Sequence, residues 1–191
     1  VNRSLEPYRG FHIFMRSLQK ILNDQPKVEI LIVGDEGVSY GSLPANGKSW
    51  KEIFISEIFP KLSETQKARI HFLGKIPYEH YLAMMQVSTV HVYLTYPFVL
   101  SWSLLEAMSV GCAIVASDTP PVQEAIEDGV TGELFNFFSD QDLTMKVTSL
   151  LENSEERDRL GLAAREYAIA NYDLKNVCLP KQLEWVEKLN D

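Results

Sequence analysis

A three-layer α/β fold, a parallel sheet with helices on both faces, is predicted by three observations in the 191-residue sequence. Two runs, VEILIV at 28–33 and TVHVYL at 89–94, are almost continuously apolar, as strands covered on both sides are. Segments of helical period alternate with such runs, the order expected of parallel strands joined by crossover helices. The strand ends run straight into glycine or into a loop containing Pro97, and ligands of open α/β sheets bind outside those ends. About five or six strands are expected, with the candidate site residues near one sheet edge.

Taken in order, Val1-Asn2-Arg3 reads as the end of a strand, and without an initiating Met the chain is expected to continue a longer protein. Residues 2–9, with Pro7, Arg3 and Arg9, form a loop, and Gly10 leads into a helix over 11–23. Its apolar residues Phe11, Phe14, Met15, Leu18, Ile21 and Leu22 recur at helical spacing. Strand 28–33 follows, then Gly34, then a Gly/Ser/Pro/Asn-rich stretch at 35–49 that is long for a strand-to-helix connection and reads as an insertion or a mobile flap, with Tyr40 and Lys48 as candidate contacts. Next come an amphipathic helix at 50–58, a short strand RIHFL at 69–73 closed by Gly74, and a helix started by Pro77 that carries Tyr81, Leu82 and Met85.

Strand 89–94 feeds the Pro97 loop, beyond which Ser101 is the candidate N-cap or first-turn residue of a helix bearing Trp102, Leu104, Leu105 and Met108 and ended by Gly111. The strand CAIVAS, the interruption Pro120-Pro121, the turns Asp128-Gly129 and Thr131-Gly132 and the strand ELFNF follow. Asp140 caps a helix lined by Leu143, Val147, Leu150 and Leu151, and helices over 154–170 and 173–189 end the chain.

Composition bounds the function. With 46% hydrophobic and 23% charged residues the chain is an ordinary globule, and its formal net charge of −8 argues against a general nucleic-acid surface. Cys112 and Cys178 have neither metal-ligand spacing nor a disulfide pattern. His71, His80 and His91 lack ligand spacing, so no metal is expected. The sequence shows neither a signal peptide nor a long apolar span, and a cytoplasmic setting is the expectation.

Two groups of residues carry chemistry. Backbone amides of Ser101 and Trp102 at a helix start suit a phosphate, and Glu106, one turn deeper among apolar neighbours, needs a partner or a ligand such as ribose hydroxyls. The alternative is a half-exposed helical glutamate. Arg3 and Arg9 suit charge-assisted pairing with a diphosphate; the alternative is a solvated pair of surface charges.

The segments LLEAMSVG, IVASDTPPVQEAI and DGVTGELF resemble the carboxyl-terminal nucleotide-binding domain of retaining glycosyltransferases of family 4 (group 1), the two-Rossmann-domain GT-B kind that includes bacterial sucrose and glycogen synthases and many lipopolysaccharide glycosyltransferases. The resemblance runs from Asn2 to about Tyr172. It implies a Rossmann-like donor domain over 1–172 and a terminal helix, 173–191, that packs on it or toward a missing amino-terminal acceptor-binding domain. It further implies that Arg3 and Arg9 hold the donor diphosphate, Arg9 standing where lysine is usual, and that a loop at Gly34 lies beside the nucleotide. By the same resemblance Lys75 and Ile76 run along the base, Ser101 and Trp102 cradle phosphate, and Glu106 accepts from the ribose.

The implied donor is a UDP-, GDP- or ADP-linked sugar, used without a cofactor; the implied acceptor is a sugar or glycolipid. The implied setting is the cytoplasm, up to the inner face of the membrane through the missing half. Arg3, Arg9 and Glu106 are the candidate catalytic residues, Gly34, Ile76, Ser101, Trp102 and Glu106 the candidate donor-binding ones. No carboxylate nucleophile is evident, in keeping with front-face displacement; 1–191 alone is expected to bind a donor and transfer nothing.

The sequence departs from the family at two places. Phe98 stands eight positions before Glu106, where a first glutamate is common, and Thr119-Pro120-Pro121 replaces a glycine-rich turn. A non-catalytic nucleotide-sugar-binding domain is therefore one rival reading. A nucleotide-cofactor oxidoreductase or epimerase is another, weakened because GDEG at 34–37 is not a dinucleotide fingerprint.

Overall fold

The computed structural model describes residues 1–45, 47–96 and 100–189. All strand pairings are parallel, as the apolar runs predict, and the described strands fall into two sheets. Strands β1 (Ile30–Val33) and β2 (Ile70–Gly74) form one; β3 (His91–Tyr93), β4 (Ile114–Ser117) and β5 (Glu133–Phe135) form the other in the order β3-β4-β5. Between the β1 and β3 edges lies a cleft of about 520 Å³ whose walls include Ile30, Ile32, Val33, Val90, Val92 and Leu94. Among the described residues no pairing joins β1 to β3, so two sheets stand where a single one was expected.

The central strand shows why both faces carry helices. All of β4 is buried, and its side chains alternate: Val115 enters one apolar cluster, Ile114 and Ala116 the other. The first cluster is built with α1 (Phe11–Asp24), α2 (Trp50–Ile58) and α7 (Asp140–Glu152). The second uses α4 (Tyr78–Val87), α5 (Trp102–Ser109) and α8 (Ser154–Tyr172). The short helices α3 (Glu64–Lys67) and α6 (Pro120–Gln123) fill the connections.

Local chemistry sets the element ends. Ser49 and Glu52 form a reciprocal capping box that starts α2 where the amphipathic pattern begins. β1 begins two residues later than predicted because the Val28 amide bonds back to the Gln25 carbonyl (3.3 Å). Arg69 completes that corner: its guanidinium donates to the carbonyls of Leu22, Gln25 and Val28 at 2.9 to 3.1 Å, satisfying acceptors that the end of α1 leaves open. Ser139 caps α7 through the Asp142 amide, one residue before the expected Asp140. Where α5 ends, Gly161 of α8 packs so tightly on Gly111 that a Cβ at 161 would sit 2.4 Å from the Gly111 carbonyl oxygen.

The tail forms a π-helical turn at Leu174–Cys178 and α9 (Leu179–Glu187), in which no residue is buried. Trp185 is 64% exposed.

Candidate functional site

The site is assembled by the first ten residues. Residues 2–5 run parallel to the chain leaving β1: Asn2 N–H donates to Val33 O (2.9 Å), Asp35 N–H to Arg3 O (3.0 Å) and Leu5 N–H to Asp35 O (2.8 Å). Gly34 permits that approach, since a Cβ there would lie 2.8 Å from both Asn2 O and Leu5 Cδ2. Its small size serves the neighbouring backbone. A short 3-10 turn, Pro7–Arg9, then ends at Gly10, which holds the left-handed conformation (φ 66°). A Cβ at Gly10 would sit 2.6 Å from Leu94 Cβ. Glycine thus lets the turn press against the exit of β3, where Tyr96 N–H also bonds Tyr8 O (3.0 Å).

That press brings together residues distant in sequence. Arg3, Arg9, Ser101, Ser103, Tyr93 and Asn2 line one small notch of about 30 Å³. Its volume is near that of a single water, so it marks where polar groups converge. Arg9 is only 8% exposed, and its Nε is buried with no hydrogen-bond partner. An unpaired buried guanidinium N–H is costly, and Arg9 lines the same notch as Arg3. On the other side, Arg9 Cζ lies 4.9 Å from the centre of the Tyr40 ring, within cation–π range.

The start of α5 faces the same notch with Ser101 as its N-cap residue, as predicted, but with no side-chain cap. Ser101 Oγ pairs with Ser103 Oγ (3.1 Å) instead. The Ser101 amide, expected to face a phosphate, donates to the Tyr93 hydroxyl (3.0 Å). Burial pushes the Tyr93 pKa up, so it stays a neutral phenol. The first-turn amides have no side-chain cap competing for them, and uncapped helix starts favour anions. Trp102 is 83% exposed.

Glu106 has its partner within the protein. Tyr78 OH and Tyr81 OH, one turn apart on α4, donate to its two carboxylate oxygens at 3.0 and 2.9 Å. The bond to Glu106 raises the Tyr78 pKa; for Tyr81 burial comes first and the same bond second. A carboxylate has about four lone-pair positions, and two of these are used. Beside it Ile76 packs half-buried against the α4–α5 cluster. Lys75 is drawn away into an exposed ion pair with Asp35 (2.8 Å).

Sequence reasoning missed Glu6, Tyr93 and Ser103. Glu6 is fully buried, and its carboxylate accepts from Ser39 Oγ (2.5 Å) and from the amides of Ser39 (3.1 Å), Tyr40 (3.3 Å) and Gly41 (2.9 Å). Burial pushes its pKa up, but the Ser39 hydroxyl and the amides of Gly41, Ser39 and Tyr40 prevail and hold it below the usual glutamate value. The stretch read as a mobile flap is therefore fastened at 39–41, and again where Trp50 Nε1 donates to Ser42 O (2.9 Å). Only the Ser-Tyr-Gly composition of 39–41 hinted at close packing. Phe98 and Pro97 lie outside the described residues. Thr119, before the short Pro120–Gln123 helix, is buried with an unpartnered hydroxyl. No group of three or more His, Cys, Asp and Glu side chains suited to a metal occurs among the described residues, and no described helix is long and apolar enough to cross a membrane.

Comparison with known proteins turns this geometry into a family. The model of glycosyl transferases group 1 matches residues 2–167. This chain is a group 1 glycosyl transferase sequence. An uncharacterized glycosyltransferase of Methanocaldococcus jannaschii is 33% identical over 107 residues, 56% of this chain and 27% of that protein. Anabaena HepE, solved in complex with UDP, superimposes with a TM-score of 0.75 at 21% identity, over 99% of this chain and 49% of that one. The C-terminal domain of a group 1 family protein from Francisella tularensis superimposes with a TM-score of 0.74 at 19% identity, over 90% of this chain and 84% of that domain. The chain thus spans no more than about half of the first two, and the two structural likenesses show that its α/β fold is that of a GT-B C-terminal domain.

Proposed function

We propose that this group 1 domain binds the donor, a nucleoside diphosphate sugar, for a retaining glycosyltransferase, and that Arg3, Arg9 and the α5 start hold the diphosphate. The observation that carries this reading is Arg9: a buried guanidinium with an unpartnered Nε, beside Arg3 and an uncapped helix start. In this reading the arginines and first-turn amides stabilise charge on the departing diphosphate, the role of preorganised donors at a leaving group. Glu106, with Tyr78 and Tyr81 fixing its rotamer, accepts from the ribose through its remaining lone pairs, and Gly34 and Ile76 border the nucleoside. The UDP held by HepE supports a nucleoside diphosphate as the ligand class.

Transfer needs an acceptor oxygen at the anomeric carbon and water kept out, tasks this reading gives to an amino-terminal acceptor domain and closure onto it. Residues 173–191 would pack toward that domain, and the acceptor would be a sugar or glycolipid at the cytoplasmic side of a membrane.

Calorimetric titration with UDP, GDP and ADP and their sugar conjugates tests the reading, followed by transfer assays of the full-length protein and of residues 1–191. One nucleotide should bind, the full-length protein should transfer its sugar, and residues 1–191 alone should not. Failure of all three to bind rejects the donor site. Glu106→Gln should weaken the nucleotide that binds by about 1 to 3 kcal/mol, the scale of a hydrogen bond to a charged group; unchanged affinity would remove Glu106 from the ribose.

A further inference from the structure

We propose that Glu6 is a positioning residue for the donor site: by fastening the 39–41 loop it seats the Tyr40 ring against Arg9 and fixes which guanidinium edge faces the notch. The proposal rests on the donor-binding reading above. A fully buried carboxylate costs far more to place than an apolar side chain of similar size, and it is retained here with four donors from one tripeptide. The fit is close on both sides, since a Cβ on Gly41 would lie 2.8 Å from Glu6 Oε2.

The chain of contacts is continuous. The Glu6 carbonyl accepts from the amide of Arg9 (3.0 Å) and from that of Phe11 (3.3 Å), so the backbone of Glu6 begins the turn that carries Arg9. Its side chain meanwhile holds Tyr40, whose ring covers the guanidinium. Asn2 Nδ2 donates to Arg9 O (3.2 Å) and closes the arrangement from the third side. An arginine head has several rotamers of similar energy, and a face pressed on an aromatic ring removes most of them. Holding the fork in place before the anion arrives is preorganisation, which strengthens binding by reducing the ordering lost on association. Glu6 would thus act on the diphosphate without touching it.

The test is a double-mutant cycle in the full-length protein, with Glu6→Gln, Arg9→Gln and the pair, titrated with UDP, GDP and ADP and with the matching nucleosides. Glu6→Gln keeps the side-chain shape but points an amide NH₂ at a backbone N–H. The expected result is about tenfold weaker binding of the preferred nucleotide, the scale of one misplaced charged contact, with nucleoside binding unchanged and no further loss when Glu6→Gln is added to Arg9→Gln. A second readout needs no ligand: the Arg9 Nε–H proton resonance, shifted by the Tyr40 ring, should move toward its free-arginine position in Glu6→Gln. If Glu6→Gln does not fold, Tyr40→Leu, which leaves the Glu6 bonds in place, should give the same loss of nucleotide binding and the same change in resonance. Unchanged binding in Glu6→Gln alongside weakened binding in Arg9→Gln overturns the proposal and leaves the donor site standing. Equal losses from Glu6→Gln in both backgrounds overturn it as well, and so does a wild-type protein that binds none of the three nucleotides, which rejects the donor site too.

Discussion

Arg9→Gln is expected to weaken nucleoside diphosphate binding by about 1.5 to 3 kcal/mol, roughly ten- to a hundredfold, because a charged donor pair is lost from a nearly buried position. The nucleoside without phosphates should bind the variant and the wild type equally, which separates a phosphate role from general damage to the domain. Arg9→Lys should fall between them: it keeps the charge and loses both the planar fork and the stacking on Tyr40. Titration calorimetry at fixed ionic strength reads all three. Equal affinity of Arg9→Gln and wild type for UDP, GDP and ADP would remove Arg9 from the site, and the unpartnered Nε would then be a structural defect without a ligand.

Gly10→Ala should be the most damaging small substitution at the site. Residue 10 sits at φ 66°, where an L side chain costs about 1 to 2 kcal/mol, and the new Cβ would meet Leu94 Cβ at 2.6 Å, an overpacking that costs about 1 to 3 kcal/mol more. A total near 2 to 5 kcal/mol corresponds to a melting temperature roughly 4 to 20 °C lower for a chain of this size. The same shift would move Arg9 off Tyr93 and Ser101, so nucleotide affinity should fall together with stability. Scanning calorimetry showing a melting point within about a degree of wild type would mean that the turn relaxes without strain, contrary to the packing seen here.

Much of this was legible in the sequence because it depends on local chemistry. Helical periodicity placed α1 and α2 within a residue at each end, and Gly111 marked the end of α5 because only a residue tolerant of positive φ completes such a cap easily. Ser101 at the head of α5 and Arg9 beside Gly10 were readable as candidates for an anion site from residue type, and the fold brings both to one notch. What stayed hidden depends on pairing across long stretches of chain. Glu106 was recognisable as a carboxylate in need of a partner, yet periodicity on α4 could not show that Tyr78 and Tyr81 would reach it from the neighbouring helix. Glu6 looked like one more charge in a polar loop, since its donors lie over thirty residues downstream. The division of the described strands into two sheets was not legible for a similar reason: apolar runs report that strands are covered on both faces and say nothing about which edges meet.

The cleft between β1 and β3 also leaves two strand edges facing one another. A strand edge is a row of hydrogen-bonding groups that templates another strand, and two parallel edges here face each other across an apolar gap of about 520 Å³. A single extended, β-branched segment entering it would gain backbone bonds on both flanks while burying its side chains against α1 and α4, so the energetic reward for threading is larger than at an ordinary exposed edge. A segment seated in that gap would therefore be held by both sheets at once, and the seam between them is where an added strand gains most.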